Sequence, residues 1–108
     1  MNSKIEQIRG TREVRNLVIT ADGKVIEAPE PEREGKYYTL EQMQEIVGGL
    51  IEMMSLPDGR HMILNEEGKL TSLPLNLMAT ALAGTSGVLG PSDYIAGDVL
   101  VCEDGRID

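Results

Sequence analysis

Two short apolar runs near the start of the chain predict a β-hairpin. Asn16–Thr20 (N-L-V-I-T) and Lys24–Glu27 (K-V-I-E) are rich in β-branched residues. Asp22-Gly23 lies between them, and such a pair favours a type I′ turn, which needs positive φ at both central residues. Ala28–Gly35 follows with two prolines and three glutamates, so we interpret it as a linker.

A second hairpin and a final strand are predicted in the same way. Leu50–Leu56 alternates partly between apolar and polar residues, and Arg60–Asn65 is its predicted returning strand. Pro57–Gly59 between them (P-D-G) is a typical turn sequence. Tyr94–Cys102 is largely apolar and is predicted to be a central strand, with a bulge at Gly97-Asp98.

Two helices are predicted between and after these strands. Thr39 is a good N-cap residue, and Gln42 completes a capping box, so a helix is expected over residues 40–47. Gly48-Gly49 is expected to end it. Pro74 suits the first turn of a helix, and the helix formers after it predict a second short helix up to Leu82.

These elements predict one α+β domain over residues 16–108. Its expected architecture is a small, largely antiparallel sheet of about five strands with two short helices on one face. Residues 1–15 are interpreted as an N-terminal arm. Gly84–Ser92 is glycine-rich and is predicted to be a flexible loop, with a lid over a ligand as the alternative.

The charge distribution narrows the classes of partner. Ten lysines and arginines stand against eighteen aspartates and glutamates, which gives a net charge of −8. Direct binding to nucleic acid or to an anionic membrane is not expected, because both require a basic face. Residues 1–15 hold four basic and two acidic residues, so this arm could dock on the acidic body of another copy.

The chain offers few groups for catalysis or metal binding. His61 and Cys102 are its only imidazole and thiol, too few for a zinc site or a disulfide within one chain. Cys102 lies in an apolar run, so we interpret it as core packing rather than as a nucleophile. No metal, cofactor or catalytic residue is predicted, and the protein is expected not to be an enzyme. The chain has no long apolar run and a polar start, which predicts a soluble cytoplasmic protein.

Three segments of the chain carry a recognisable pattern: Tyr38–Glu52, Asn65–Asn76 (N-E-E-G-K-L-T-S-L-P-L-N) and Tyr94–Val101. In this order and with similar spacing, they resemble an uncharacterised family of small proteins from phages and bacterial mobile elements. The N-E-E-G-K … L-P-L-N block is the specific part of the pattern. The resemblance carries no assigned reaction. It implies a setting, mobile DNA inside a bacterial cell, and therefore a place in the host cytoplasm.

The middle segment holds most of the candidate binding residues. Asn65 and Asn76 flank a turn and the Pro74 segment, and asparagine suits turns and helix caps, so one interpretation of both side chains is structural. The other is a ligand site with Gly68, Lys69, Pro74 and Asn76 on one rim, where backbone amides and Lys69 would hold a phosphate. The remaining candidates, chosen for stacking or close backbone approach, are Tyr38, Gly48 and Gly49.

Two functions stay open on this basis. The first is a non-enzymatic counter-defence protein that binds and sequesters a small nucleotide immune signal at the interface of a homo-oligomer. The second is an acidic decoy that binds a host defence nuclease or another nucleic-acid-binding protein by imitating nucleic-acid charge. Self-association is expected because a core without Phe or Trp is small and gains from burying more area.

Overall fold

The computed structural model describes residues 16–85, 87, 89–90 and 92–103. The predicted N-terminal arm, residues 1–15, lies outside the described residues, and the predicted loop Gly84–Ser92 lies only partly within them. In the described part of the chain, no helix has the length and apolar character needed to cross a membrane.

Five strands and two helices form the described fold, which confirms the predicted α+β class. The strands are β1 (Leu17–Ile19), β2 (Val25–Glu27), β3 (Ile51–Ser55), β4 (Arg60–Asn65) and β5 (Val99–Glu103). The helices are α1 (Leu40–Val47) and α2 (Leu77–Thr85).

The strands form one antiparallel sheet in the order β2-β1-β5-β4-β3. β5 lies at the centre, as predicted, and joins the two hairpins. Its residue Leu100 pairs with Val18 of β1 on one side and with Ile63 of β4 on the other. β2 and β3 are therefore the edges of the sheet.

The two helices cover opposite faces of the sheet, so the prediction that they share one face is wrong. α1 packs through Met43 and Val47 on a cluster that includes Leu100. α2 packs through Ala79 and Leu82 on the other face. Successive strand side chains point to opposite faces, so the fully buried runs L-V-I in β1 and V-L-V-C in β5 need cover on both sides.

The bounds predicted for α1 are confirmed, and so is its capping box. Thr39 Oγ1 accepts a hydrogen bond from the Gln42 amide at 3.0 Å, and Gln42 Oε1 accepts one from the Thr39 amide at 3.4 Å. Gly48 ends the helix with φ of 84°, and its N–H donates to the Gln44 carbonyl at 2.8 Å. Glycine adopts this left-handed conformation at little cost, so the helix stops there.

The first hairpin turn is not the predicted type I′. Gly23 has φ of 96°, whereas Asp22 has no positive φ. The Gly23 amide donates to the Thr20 carbonyl at 3.0 Å, and the Thr20 amide donates to the Lys24 carbonyl at 2.8 Å. This pattern is a type I turn followed by one left-handed glycine, which needs a single positive φ.

α2 begins later than predicted. Leu75 pairs with Ala96 in an isolated β-bridge, so the chain is still extended after Pro74. Asn76 then caps the helix, because its Oδ1 accepts a hydrogen bond from the Ala79 amide at 3.0 Å. The proline therefore precedes the helix instead of starting it.

Two other predicted segments also differ from the structure. The predicted strand Tyr94–Cys102 is regular only from Val99, because Gly97, with φ of 88°, interrupts it. The predicted linker contributes to packing, since Ala28 and Pro31 are buried.

Candidate binding site

A cleft opens where the end of β4 meets the segment that leads into β5. Its volume is about 60 Å³. The polar residues of its lining are Glu52, Asn65, Glu66, Lys69, Asp93 and Tyr94. A water molecule occupies ~30 Å³ in the liquid and typical ligand pockets measure ~300–1,000 Å³. The cleft therefore admits a small chemical group and not a whole nucleotide.

Asn65 ties three parts of the chain together at this cleft. Its side chain is 7% exposed, its Nδ2 donates to the Val47 carbonyl at 3.1 Å, and its Oδ1 accepts from the Glu67 amide at 2.8 Å. Its backbone carbonyl also accepts from the Gly68 amide at 3.2 Å. These bonds close the turn after β4, as the structural interpretation of Asn65 predicts, and they also fix the end of α1, which that interpretation did not include.

Two of the candidate glycines allow a close approach between chain segments. A Cβ at Gly49 would lie 2.9 Å from Asn65 Nδ2, and a Cβ at Gly68 would lie 2.8 Å from the Ala96 carbonyl oxygen. Any larger residue at either position would push a neighbour aside. The close approach is thus between parts of this chain, and the third glycine, Gly48, caps α1.

Lys69 is held at the mouth of the cleft by two contacts. Its Nζ forms an ion pair with Asp93 and lies 5.0 Å from the centre of the Tyr94 ring. The hydrogen bond from Lys69 holds the pKa of Asp93 below its ordinary value, and the hydrogen bond to Asp93 raises the pKa of Lys69. A ligand phosphate at Lys69 would have to compete with Asp93.

The balance of charge in the cleft favours cations. Glu52, Glu66 and Asp93 contribute three carboxylates, and Lys69 is the one basic residue among the described residues of the lining. Both Asp93 and Glu52 act on Lys69 electrostatically and raise its pKa. A bound anion would therefore meet a site that is negative overall.

Asn76 and Pro74 lie outside this cleft. Asn76 is fully buried, and its Nδ2 donates to the carbonyls of Ile19 at 3.0 Å and Gly97 at 2.9 Å. With its Oδ1 on the helix cap, every polar atom of this side chain is engaged. Pro74 is exposed and borders a separate open groove of about 480 Å³ beside the β1–β2 turn, which Asp98 also lines.

Tyr38 also lies inside the protein. It is fully buried in the cluster between α1 and the sheet that contains Met43, Val47 and Leu100 (the α1-side core), and its hydroxyl donates to the Pro29 carbonyl at 2.7 Å. It has no exposed ring face for stacking on a base. The structure thus brings together Asn65, Gly68, Lys69 and Gly49, and separates Tyr38, Pro74 and Asn76 from them.

His61 and Cys102 are directly opposite each other on β4 and β5. Cys102 has no exposed surface and packs in the α1-side core, as predicted. His61 Nδ1 lies 3.4 Å from Ser55 Oγ on the neighbouring strand. Within residues 16–103 as described, no group of three metal-ligating side chains comes together.

A second polar surface lies over α1 and the segment before it. Gln42 holds that segment on the helix, because its Nε2 donates to the Glu30 carbonyl at 2.7 Å and its Oε1 accepts from the Glu32 amide at 3.0 Å. We define the acidic layer as the exposed carboxylates of Glu30, Glu32, Glu41 and Glu45. None of the four forms an ion pair with a described residue.

Sequence reasoning missed Asp93 and the acidic layer. Asp93 lies 24 positions from Lys69, and no local pattern links the two residues. The acidic layer had a signal, since Glu41 and Glu45 are one helical turn apart on the exposed side of a predicted helix. What the sequence did not reveal is that Gln42 would bring Glu30 and Glu32 beside them.

The fold and these two polar surfaces define a small α+β protein with a central antiparallel sheet covered on both faces. The chain belongs to the DUF3846 family, a domain of unknown function, whose family model matches residues 14–108. No curated protein matches the chain, and no solved structure matches it.

Proposed function

We propose that this chain is a non-catalytic binding protein that recognises a basic surface on a partner protein through the acidic layer. The acidic layer is the observation that carries the proposal. Four exposed carboxylates without ion pairs among the described residues present a concentrated negative surface. Such a surface steers a basic partner toward it and selects against acidic ones.

The partner class follows from the chemistry of that surface. A protein groove that binds nucleic acid is lined by lysine and arginine, which pair with carboxylates as they do with phosphates. The resemblance to phage and mobile-element proteins suggests a host nuclease or another nucleic-acid-binding protein in the bacterial cytoplasm. The chain would then act as an acidic decoy that occupies the groove.

The test is competition with DNA, using host nucleases and repressors bound to a fluorescent duplex. The full chain should displace the duplex, and the displacement should weaken as salt screens the charges. The triple variant Glu32→Gln, Glu41→Gln, Glu45→Gln should lose about tenfold or more in affinity. The matched control Glu52→Gln, Glu66→Gln, Glu67→Gln removes the same charge elsewhere and should retain binding. A chain that displaces no duplex, or a control set that loses as much, would contradict the proposal.

A second candidate function rests on Asn65 and Lys69 in the lining of the cleft, with Gly68 packed against the lining residue Ala96. There the chain would sequester a small nucleotide signal, with a second copy completing the site, since one chain offers only about 60 Å³. Thermal-shift titration with cyclic nucleotides tests it, because a ligand that binds the folded state raises the melting temperature. Lys69→Met should abolish that shift, and the absence of a shift with any nucleotide would rule the candidate out.

A further inference from the structure

The outer edge of β3 carries unpaired backbone groups. In the β3–β4 hairpin, the Leu56 amide donates to the Arg60 carbonyl and the Glu66 amide donates to the Leu50 carbonyl, both at 2.8 Å. Hydrogen-bonded pairs alternate along an antiparallel ladder. Residues 50, 52, 54 and 56 therefore point their backbone groups at β4, and Ile51, Met53 and Ser55 point theirs outward. Among the described residues, nothing bonds to these outward groups.

This edge also lacks the usual protection against pairing. β3 has no proline and no lysine, and Met53 at its centre is 50% exposed. Its one charged residue, Glu52, directs its backbone inward. The opposite edge, β2, is only three residues long and lies between Lys24 and Pro29. Natural sheets use short strands, charges and proline to block edges, so β2 is protected and β3 is not.

We propose that two copies of this chain pair antiparallel along β3, with Met53 on the two-fold axis. In this register Met53 faces Met53 of the second copy, and Ile51 faces Ser55. All three outward-pointing residues then meet a hydrogen-bonding partner, and three such pairs exchange about six bonds. The two five-stranded sheets become one continuous sheet, and the symmetry closes the assembly at a dimer.

The charges on β3 favour this register, and they favour a second copy of the chain as the partner at this edge. Centred on Met53, the pairing sets Glu52 opposite Met54, so no like charges face each other directly. A register centred on Glu52 would place the two Glu52 carboxylates opposite each other. It would also bring together backbone groups that already bond to β4. The edge is otherwise neutral, which suits a second copy of an acidic chain better than a basic peptide.

The first experiment is sedimentation of the full chain over a concentration series. A dimer should form reversibly, and its fraction should rise with salt, because screening relieves the repulsion between chains of net charge −8. Partner binding through the acidic layer should change with salt in the opposite direction. The dimer does not depend on the proposed function. Because salt should strengthen dimerisation and weaken partner binding, a failure of the dimer proposal can be distinguished from a failure of the proposed function.

Cysteine substitution tests the register. Facing residues of a hydrogen-bonded pair have Cα atoms ~5.5 Å apart, within the ~4.4–6.8 Å range for a disulfide. Met53→Cys should therefore cross-link two chains under oxidation. Ser55→Cys, on the same exposed edge, should not, because the two copies would lie ~14 Å apart along the strand. Native Cys102 is fully buried and does not compete.

Lysine substitution tests the surface. Met53→Lys places like charges on the axis and should raise the dimer dissociation constant about tenfold or more. Leu70→Lys is the matched control, since Leu70 is 84% exposed in the turn after β4, is not part of the β3 edge, and takes the same charge change. The proposal is overturned by a chain that stays monomeric at all concentrations and salt levels. It is also overturned if Ser55→Cys cross-links as well as Met53→Cys, or if Leu70→Lys alone abolishes the dimer.

Discussion

The Asn65 side chain joins β4 to α1 by donating from its Nδ2 to the Val47 carbonyl at 3.1 Å. The same side chain holds the following turn through the Glu67 amide. A buried asparagine whose amide nitrogen and oxygen are both hydrogen-bonded within the protein has a structural role. If Asn65 also contacts a ligand, it does so in a fixed orientation.

Replacement of Asn65 by alanine should lower the free energy of unfolding by about 1–3 kcal/mol, because the buried Val47 carbonyl and Glu67 amide lose their partner. Urea unfolding followed by circular dichroism measures this. Glu66→Ala, on the exposed neighbour, is the control and should change stability by less than ~0.5 kcal/mol. Equal effects for the two variants would contradict the role assigned to Asn65.

Alanine at Gly68 and at Gly84 should have opposite effects. At Gly68 the new Cβ would lie 2.8 Å from the Ala96 carbonyl, so stability should fall. At Gly84 the new Cβ meets nothing within 4 Å, and the residue is in α2. Alanine is the better helix former there, so stability should rise by about 0.5–1 kcal/mol. Melting temperatures of the two variants check both signs, and a gain at Gly68→Ala would show that the contact with Ala96 relaxes without cost.

Asn76→Ala should be more damaging than the loss of a helix cap alone. It removes the cap and also leaves the carbonyls of Ile19 and Gly97 without a donor, for a total of roughly 2–4 kcal/mol. Asn76→Asp keeps the capping oxygen but loses the donor, so it should recover little of the loss. Chemical denaturation of both variants measures the difference. Full recovery by aspartate would mean that the two carbonyl contacts add nothing.

Loss of the Lys69–Asp93 ion pair should change the pKa values of the two side chains clearly and the stability of the fold only slightly. The hydrogen bond from Lys69 lowers the pKa of Asp93 from 3.8, so this contact stabilises the fold above pH 3.8 and is lost as pH falls through the lowered value. The pKa of Lys69 is raised from 10.5, so its share is complete below pH 10.5 and is lost as pH rises through the raised value.

Side-chain NMR titration checks this pair. In Lys69→Met the pKa of Asp93 should rise toward 3.8, and in Asp93→Asn the pKa of Lys69 should fall toward 10.5. Both side chains are about half exposed, so solvent screens the pair and the change in melting temperature should be small. An unchanged Asp93 titration in Lys69→Met would disprove the contact.

Local sequence patterns predicted the strands and helices well. They could not predict the contacts between residues that are far apart in the chain. The capping box of Thr39 and Gln42 gave the bounds of α1, and the turn sequences gave both hairpins. The prediction that both helices lie on one face of the sheet was wrong. It followed from the antiparallel hairpins, which suggested a sheet with one face packed on the core and the other exposed to solvent. The uninterrupted apolar runs of β1 and β5 already indicated burial on both sides.

The candidate site was predicted only in part, for a related reason. Asn65, Gly68 and Lys69 are close in the chain, so their grouping could be foreseen. Pro74 and Asn76 are also close in the chain, but the bridge between Leu75 and Ala96 directs them to another part of the surface. Such a bridge depends on segments about twenty residues apart, and no periodicity within either segment reports it.

The central position of β5 has a consequence during synthesis. Both hairpins precede β5 in the chain and emerge from the ribosome before it, so β1 and β4 each have one unpaired side until β5 arrives. A waiting side of this kind is a template for incorrect pairing with a neighbouring nascent chain. Incorrect pairing between chains is therefore expected mainly in the interval before β5 takes its place between β1 and β4.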